Sequence, residues 1–285
     1  MKQITVISGK GGTGKTTITA SLSYLAENAV IVDCDVDASD MHLLLNPSIK
    51  NKTDFYSGKA FLIDKELCIN CGLCKNKCRF NAISDEYKID PISCEGCGAC
   101  FYICPPKAIT SKENLVGEYY VSEALDKQFV HAKLHIAQDN SGKLVAQIRK
   151  KARTIAENNK QDFIIIYGPP GIGCPVNAAI VGINLAVIVT EPTLSGIHDL
   201  KRIIDVTKHF RVPCTVVINK YDLNQKNCAV IEALCDKTEI KCISKIPYSL
   251  EVVKTLNDGE IIIRSRPEDT VSKEIKRIWR YIKDY

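Results

Sequence analysis

The sequence predicts an α/β protein with a doubly wound, mostly parallel sheet, interrupted by a small inserted α+β domain. Three observations predict it. Short apolar strand-like runs alternate with helix-like segments over most of the 285 residues. A glycine-rich loop follows the first of those runs. A compact cysteine block then breaks the alternation, which resumes beyond it.

Residues 3–8 form a β-rich run ending in glycine, and 16–28 read as the helix that follows. The run AVIVD at 29–33 is nearly continuous in apolar residues, as in strands covered on both faces of a parallel sheet. Between 46 and 60 the chain becomes polar. The cysteine block extends to about Lys112, and regular alternation returns with Tyr119. Further strands are expected at 162–167, 185–190, 214–219 and 240–246. Helices are expected near 174–183, 195–210, 224–237 and 248–257. Residues 1–60 and 113–285 are therefore read as two parts of one α/β domain, with 61–112 inserted between them.

Hydrophobic content of 45% and charged content of 25% are ordinary for a soluble globular chain. The net charge of +5, from 38 basic and 33 acidic residues, gives no argument for nucleic acid. Cysteine is the outlier, at 14 residues. Disulfide scaffolds are short secreted chains, whereas MKQITVISGKGG offers only a brief apolar run and no cleavable signal is expected. No stretch reaches the roughly 18 apolar residues of a membrane span. A reducing, cytoplasmic setting is expected, in which clustered cysteines bind metal.

The block contains CINCGLCKNKC at 68–78 and CEGCGACFYIC at 94–104. Each cysteine of the first run has a counterpart 26 residues later, and Ala82-Ile83-Ser84 is echoed by Ala108-Ile109-Thr110. This duplication is too short for a solenoid. The spacing Cys-x₂-Cys-x₂-Cys-x₃-Cys is that of bacterial ferredoxins, and two copies predict two [4Fe–4S] clusters. Three close cysteines wrap one cube while the fourth reaches the other. Crossed ligation follows: Cys68, Cys71, Cys74 and Cys104 on one cluster, and Cys94, Cys97, Cys100 and Cys78 on the second. Gly72, Gly96 and Gly98 suit backbone packed against sulfide. Pro105 follows Cys104 as ferredoxins prefer, whereas Arg79 follows Cys78. Paired Cys-x₂-Cys motifs also make zinc sites, but zinc does not account for an eight-cysteine duplication.

Residues 9–17 read GKGGTGKTT and satisfy G-x-x-x-x-G-K-[ST] between a strand and a helix. Gly11, Gly12, Thr13, Gly14, Lys15, Thr16 and Thr17 are expected to cradle phosphates through backbone N–H groups and a helix N-terminus. Lys15 would bridge the β- and γ-phosphates, and the Thr16 hydroxyl would hold Mg²⁺. Asn219-Lys220-Tyr221-Asp222 fits the N-K-x-D pattern with which GTPases read guanine.

With its additional Lys10, KGGTGKTT resembles the deviant Walker A loop of MinD/Mrp/ParA-type ATPases, which include the nitrogenase iron protein. The resemblance implies ATP hydrolysis within a nucleotide-sandwich dimer, formed with a second copy or a paralogue, in which Lys10 reaches the partner's phosphates. It places switch I at Asp33-Cys34-Asp35, with Asp35 positioning the attacking water, and switch II at Gly168-Pro169-Pro170-Gly171. It assigns Asn219 and Pro247 to adenine, so ATP is expected over GTP. One position departs from the family pattern. Tyr167 stands where an aspartate would hold a water on Mg²⁺, and a neutral phenol supplies no anionic acceptor. Slow hydrolysis is expected.

Cys174 follows switch II, similar in position to a cluster-ligating cysteine of the iron protein, and is a candidate for bridging two copies; a packed thiol is the plainer reading. In KEIKRIWRYIKDY, Ile275, Ile278, Trp279 and Ile282 share a helical face. MinD uses a basic amphipathic C-terminal helix at membranes, but a terminal helix docked on its own domain has the same pattern, and membrane binding is not expected. His131 and His135 alternate with Val130, Ala132, Leu134 and Ile136, so they lie on a strand about 13 Å apart and do not chelate. The function expected is ATP-gated electron transfer to a redox partner protein. The alternatives are an iron–sulfur carrier of the Mrp kind, serving an acceptor protein, and a membrane-positioning ATPase.

Overall fold

The structure is a computed structural model and describes residues 1–135 and 141–285. It divides into two compact units. The larger comprises Met1–Thr53, Tyr119–Lys133 and Ser141–Tyr285; the smaller comprises Asp54–Glu118 and Leu134–Asn140.

The chain opens with β1 (Lys2–Ser8), α1 (Lys15–Leu25), β2 (Ala29–Asp33), α2 (Met41–Leu45) and β3 (Ser48–Ile63). Next come α3 (Leu73–Lys77), α4 (Ala99–Ile103), β4 (Ile109–Ala124), β5 (Lys127–Leu134) and α5 (Ser141–Asn158). Then follow β6 (Phe163–Pro170), α6 (Cys174–Ile180), β7 (Leu185–Thr190), α7 (Leu194–His209), β8 (Cys214–Asn219) and a single 3₁₀ turn at Tyr221–Leu223. The last elements are α8 (Gln225–Thr238), β9 (Cys242–Ile246), α9 (Leu250–Asn257), α10 (Ile262–Ser265) and α11 (Thr270–Asp284).

The strand order is β3-β4-β5-β2-β6-β1-β7-β8-β9. Neighbours from β5 through β9 in that order run parallel. Every residue of β2 and β7 is buried, as expected of nearly continuous apolar runs in a parallel sheet covered by helices on both faces. Leu125 and Asp126, both at positive φ, make the tight reversal from β4 to β5. The polar stretch after residue 46, to which no element is assigned from sequence, forms most of a 16-residue strand, and the strand that contains Tyr119 begins at Ile109.

Among the described residues, four helices begin with a capping side chain. Thr193, Asn224, Ser249 and Asp269 each accept a first-turn N–H, at α7, α8, α9 and α11 respectively. Helix α1 is different: Gly14 precedes it in the left-handed region and no side chain caps it. Helix α11 buries Ile275, Ile278, Trp279 and Ile282 in the core of the larger unit, and the Trp279 ring lies 5.0 Å from that of Phe163. The apolar face that would enter a membrane interface is thus packed inside the protein. None of the described helices is long and apolar enough to cross a membrane.

In the smaller unit the sequence duplication is also a structural one. Gly72 and Gly98 adopt nearly the same left-handed φ, 77° and 78°, ahead of five-residue helices α3 and α4. Cys78 and Cys104 end those helices at φ/ψ of −73°/110° and −72°/112°. The two copies are tied crosswise: Asp64 N–H donates to Ala108 O, and Asp90 N–H to Ala82 O, both at 2.8 Å. Phe61, Cys74, Ile83 and Ile109 form a small buried core between them.

Candidate functional site

Strand β1 ends where the loop 9–14 begins, so the loop sits at the carboxyl edge of the central strands, where doubly wound folds bind ligands. Gly14 is at φ 92°, and a Cβ there would collide with the Asn219 side-chain amide. That amide donates to Thr13 O at 2.8 Å and pins the loop to the end of β8. With no cap on α1, its first N–H groups remain available to an anion. The Thr13 hydroxyl is buried and has no hydrogen-bond partner among the described residues, an arrangement that suits a bound polar ligand.

Lys15 is buried beside the loop; burial lowers its pKa, and Asp35, Asp33 and Asp40 pull it back up. Burial raises the Asp35 carboxyl to about 6, with Lys15 opposing that rise. Asp33, fully buried, is raised to about 7 by desolvation. Its carboxylate organises the turn after β2, accepting Asp35 N–H at 2.9 Å and the Ser39 hydroxyl at 2.6 Å. Tyr167 lies opposite Asp33 in the β2–β6 register. Its hydroxyl is 3.1 Å from Thr16 Oγ1, and its ring centroid is 5.4 Å from Lys15 Nζ.

Lys10 is held within its own chain. Its ammonium lies 2.5 Å from Glu191 Oε1 and donates to Ser195 Oγ at 3.0 Å and Thr193 Oγ1 at 3.2 Å. Lys220 takes the other Glu191 oxygen at 3.2 Å and donates to Gly12 O at 3.0 Å. Sequence reasoning missed Glu191, and no signal marks it, because only the fold brings the end of β7 beside the loop. An apolar cleft next to the loop is lined by Ile18, Asn219, Pro247, Val252 and Leu256 among others. Asp222 is absent from that lining, and its carboxylate instead accepts Tyr248 N–H at 2.8 Å.

In the smaller unit, Cys94, Cys97 and Cys100 line one cavity together with Cys78, which comes from the other run. Cys104, like Cys78 and Cys100, packs against the small core that contains Cys74. Cys71 and Cys97 are exposed. Among the described residues, no three His, Cys, Asp or Glu side chains group closely enough for a single metal ion. Cys174 is exposed at the start of α6. His131 is buried between the rings of Phe129 and Tyr120 and lies 2.9 Å from the Ser122 hydroxyl, while His135 pairs with Glu118 at 3.8 Å. Ile136 falls outside the described residues.

This phosphate-loop geometry has a counterpart among known proteins. The model of the CobQ/CobB/MinD/ParA nucleotide binding domain matches residues 4–262. The chain belongs to this family. It is 33% identical to the Methanocaldococcus jannaschii protein MJ0578, over 99% of this chain and 97% of that one. MinD from Pyrococcus horikoshii, solved with Mg-ADP, is similar in fold, with a TM-score of 0.63 at 19% identity over 99% of this chain and 95% of that one. A 60-residue segment, 21% of this chain, is 42% identical to the pyruvate synthase subunit PorD of Methanothermobacter marburgensis, covering 74% of that protein. As a MinD/ParA-type domain, the larger unit binds nucleotide.

Proposed function

We propose that this protein is an ATPase of the MinD/ParA type whose nucleotide-driven dimer closure gates electron transfer through two [4Fe–4S] clusters in the smaller unit. The observation that carries the proposal is that Cys78, from the first run, lines one cavity with Cys94, Cys97 and Cys100, in a chain with a complete phosphate loop. Cys68, Cys71, Cys74 and Cys104 would hold one cluster, and Cys94, Cys97, Cys100 and Cys78 the other. Such clusters supply one-electron chemistry at a potential set by burial, charge and hydrogen bonds to sulfur.

The protein's own groups divide the nucleotide chemistry. The α1 N-terminus and Lys15 bind the β- and γ-phosphates, Thr16 is the Mg²⁺ ligand, and Asp35 orients the attacking water. Asn219 and Pro247 border the adenine cleft. The engagement of Asp222 by Tyr248 favours ATP over GTP, because a guanine-reading carboxylate has to face the base. On closure with a second copy or a paralogue, Lys10 leaves Glu191 for the partner's phosphates. The coupling is two-state: nucleotide shifts the clusters only by its differential affinity for open and closed dimers.

Anaerobic reconstitution followed by redox titration, with ADP and with a non-hydrolysable ATP analogue, tests the reading. Two four-iron clusters whose potential or signal differs between the two nucleotides are expected. Iron-free protein, or identical titrations in both states, would sink it. A second reading, delivery of an assembled cluster to an acceptor protein, draws on the exposure of Cys174. It predicts cluster transfer to an apo-protein that stops in Cys174→Ala. A membrane-positioning role is disfavoured by the burial of the apolar face of α11.

A further inference from the structure

Tyr167 is the one residue of the phosphate site whose chemistry contradicts its position. It lies within the buried part of β6, is itself 3% exposed, and touches two groups that a nucleotide needs. Its hydroxyl lies 3.1 Å from Thr16 Oγ1, the atom that a cation on the β- and γ-phosphates would claim. Its ring lies under the Lys15 ammonium, at 5.4 Å from the centroid, which favours holding that cation in place before any phosphate arrives. Asp33, opposite on β2, does not substitute for a missing carboxylate, since its oxygens are committed to Asp35 N–H and the Ser39 hydroxyl.

We propose that Tyr167 is a positioning residue that clamps the phosphate loop and competes with Mg²⁺ for Thr16, so that nucleotide binding depends only weakly on the cation. The inference rests on the nucleotide half of the function proposed above and is independent of the clusters. The phenol holds Lys15 and Thr16 in ordered positions, which favours binding of the triphosphate itself. A cation then gains Thr16 only by displacing the phenol, and it finds no anionic acceptor for its water on β6. Nucleotide would therefore bind readily and turn over slowly, giving a long-lived bound state.

The experiment measures the dissociation constant of AMPPNP by calorimetry on the native full chain, Tyr167→Phe and Tyr167→Asp, each in excess EDTA and in excess Mg²⁺. The quantity read is the ratio of the two constants for each protein. Removing the hydroxyl frees Thr16, and the ratio for Tyr167→Phe is expected to rise about fivefold above native, the worth of one hydrogen bond. Tyr167→Asp is expected to raise it roughly twentyfold or more, because a charge-assisted contact to the hydrated cation is gained in Mg²⁺ while the carboxylate repels the bare triphosphate in EDTA. A ratio that is the same in the native protein and Tyr167→Phe overturns the proposal, and this conservative variant decides the matter even where the aspartate variant fails to fold. Native protein that binds no AMPPNP under either condition overturns the nucleotide reading, and the proposal with it.

Discussion

Glu191 holds two ammonium groups at once, Lys10 through one oxygen and Lys220 through the other, and so stores the lysine that a closed dimer would need elsewhere. Burial pushes its carboxyl up, but the hydrogen bonds from Lys10 and Lys220 outweigh this and hold it below its ordinary value. Being depressed, it stabilises the fold above the ordinary carboxylate range and loses that contribution as pH falls through it. Glu191→Gln releases Lys10, and with AMPPNP present the variant is expected to dimerise at protein concentrations about fivefold lower than native, an ion pair of this kind being worth about 1 kcal/mol. Sedimentation at graded concentrations measures it, and an unchanged midpoint removes the storage role. His131 gives a second residue-scale prediction. Burial pushes it down to about 4, so between roughly 6.5 and 4 the unfolded chain takes up a proton that the folded chain refuses. Stability is expected to fall on acidification across that window, by roughly 3 kcal/mol at most. In His131→Phe, denaturant titrations at pH 7 and pH 4.5 should lose that component of the difference.

At the scale of elements, α11 is a core helix rather than an appendage. Trp279→Ala removes a buried ring packed against Phe163 and is expected to cost about 3–5 kcal/mol in urea titrations. A cost below about 1 kcal/mol would mean the helix is docked only loosely. The bounds of β2, β7 and β8 were legible because each carries at least three consecutive apolar residues closed by a polar one. Strand β3 was not, since it is exposed along most of its length and is mainly polar before the short apolar run at 60–63. Helix α5 also went unread: Leu144, Val145 and Ile148 have helical spacing, but Ala152 and Ala156 carry little hydrophobic signal between lysines and arginines. The phosphate loop was readable because glycine spacing there is chemistry in its own right. The roles of Glu191 and of the Tyr167 hydroxyl were not, because each depends on a strand end that folding alone brings to the loop.

For the molecule as a whole, crossed ligation separates the proposal from two independent four-cysteine sites. If each run held its own cluster, Cys104→Ala would spare Cys68, Cys71, Cys74 and Cys78. Under crossed ligation it is expected to weaken the cluster on the first run and leave the second intact, while Cys78→Ala does the reverse; iron analysis and electron paramagnetic resonance of the two variants check this. Disruption of the cluster belonging to the mutated run would refute the arrangement. The reciprocal backbone bonds, Asp64 to Ala108 and Asp90 to Ala82, carry a related consequence. A peptide bearing a single copy of the repeat would keep one donor and one acceptor, lack the partner of each, and recover them only from an identical peptide across a twofold axis. Joining the copies in one polypeptide turns that encounter into a permanent neighbour, so dilution no longer decides whether the halves meet.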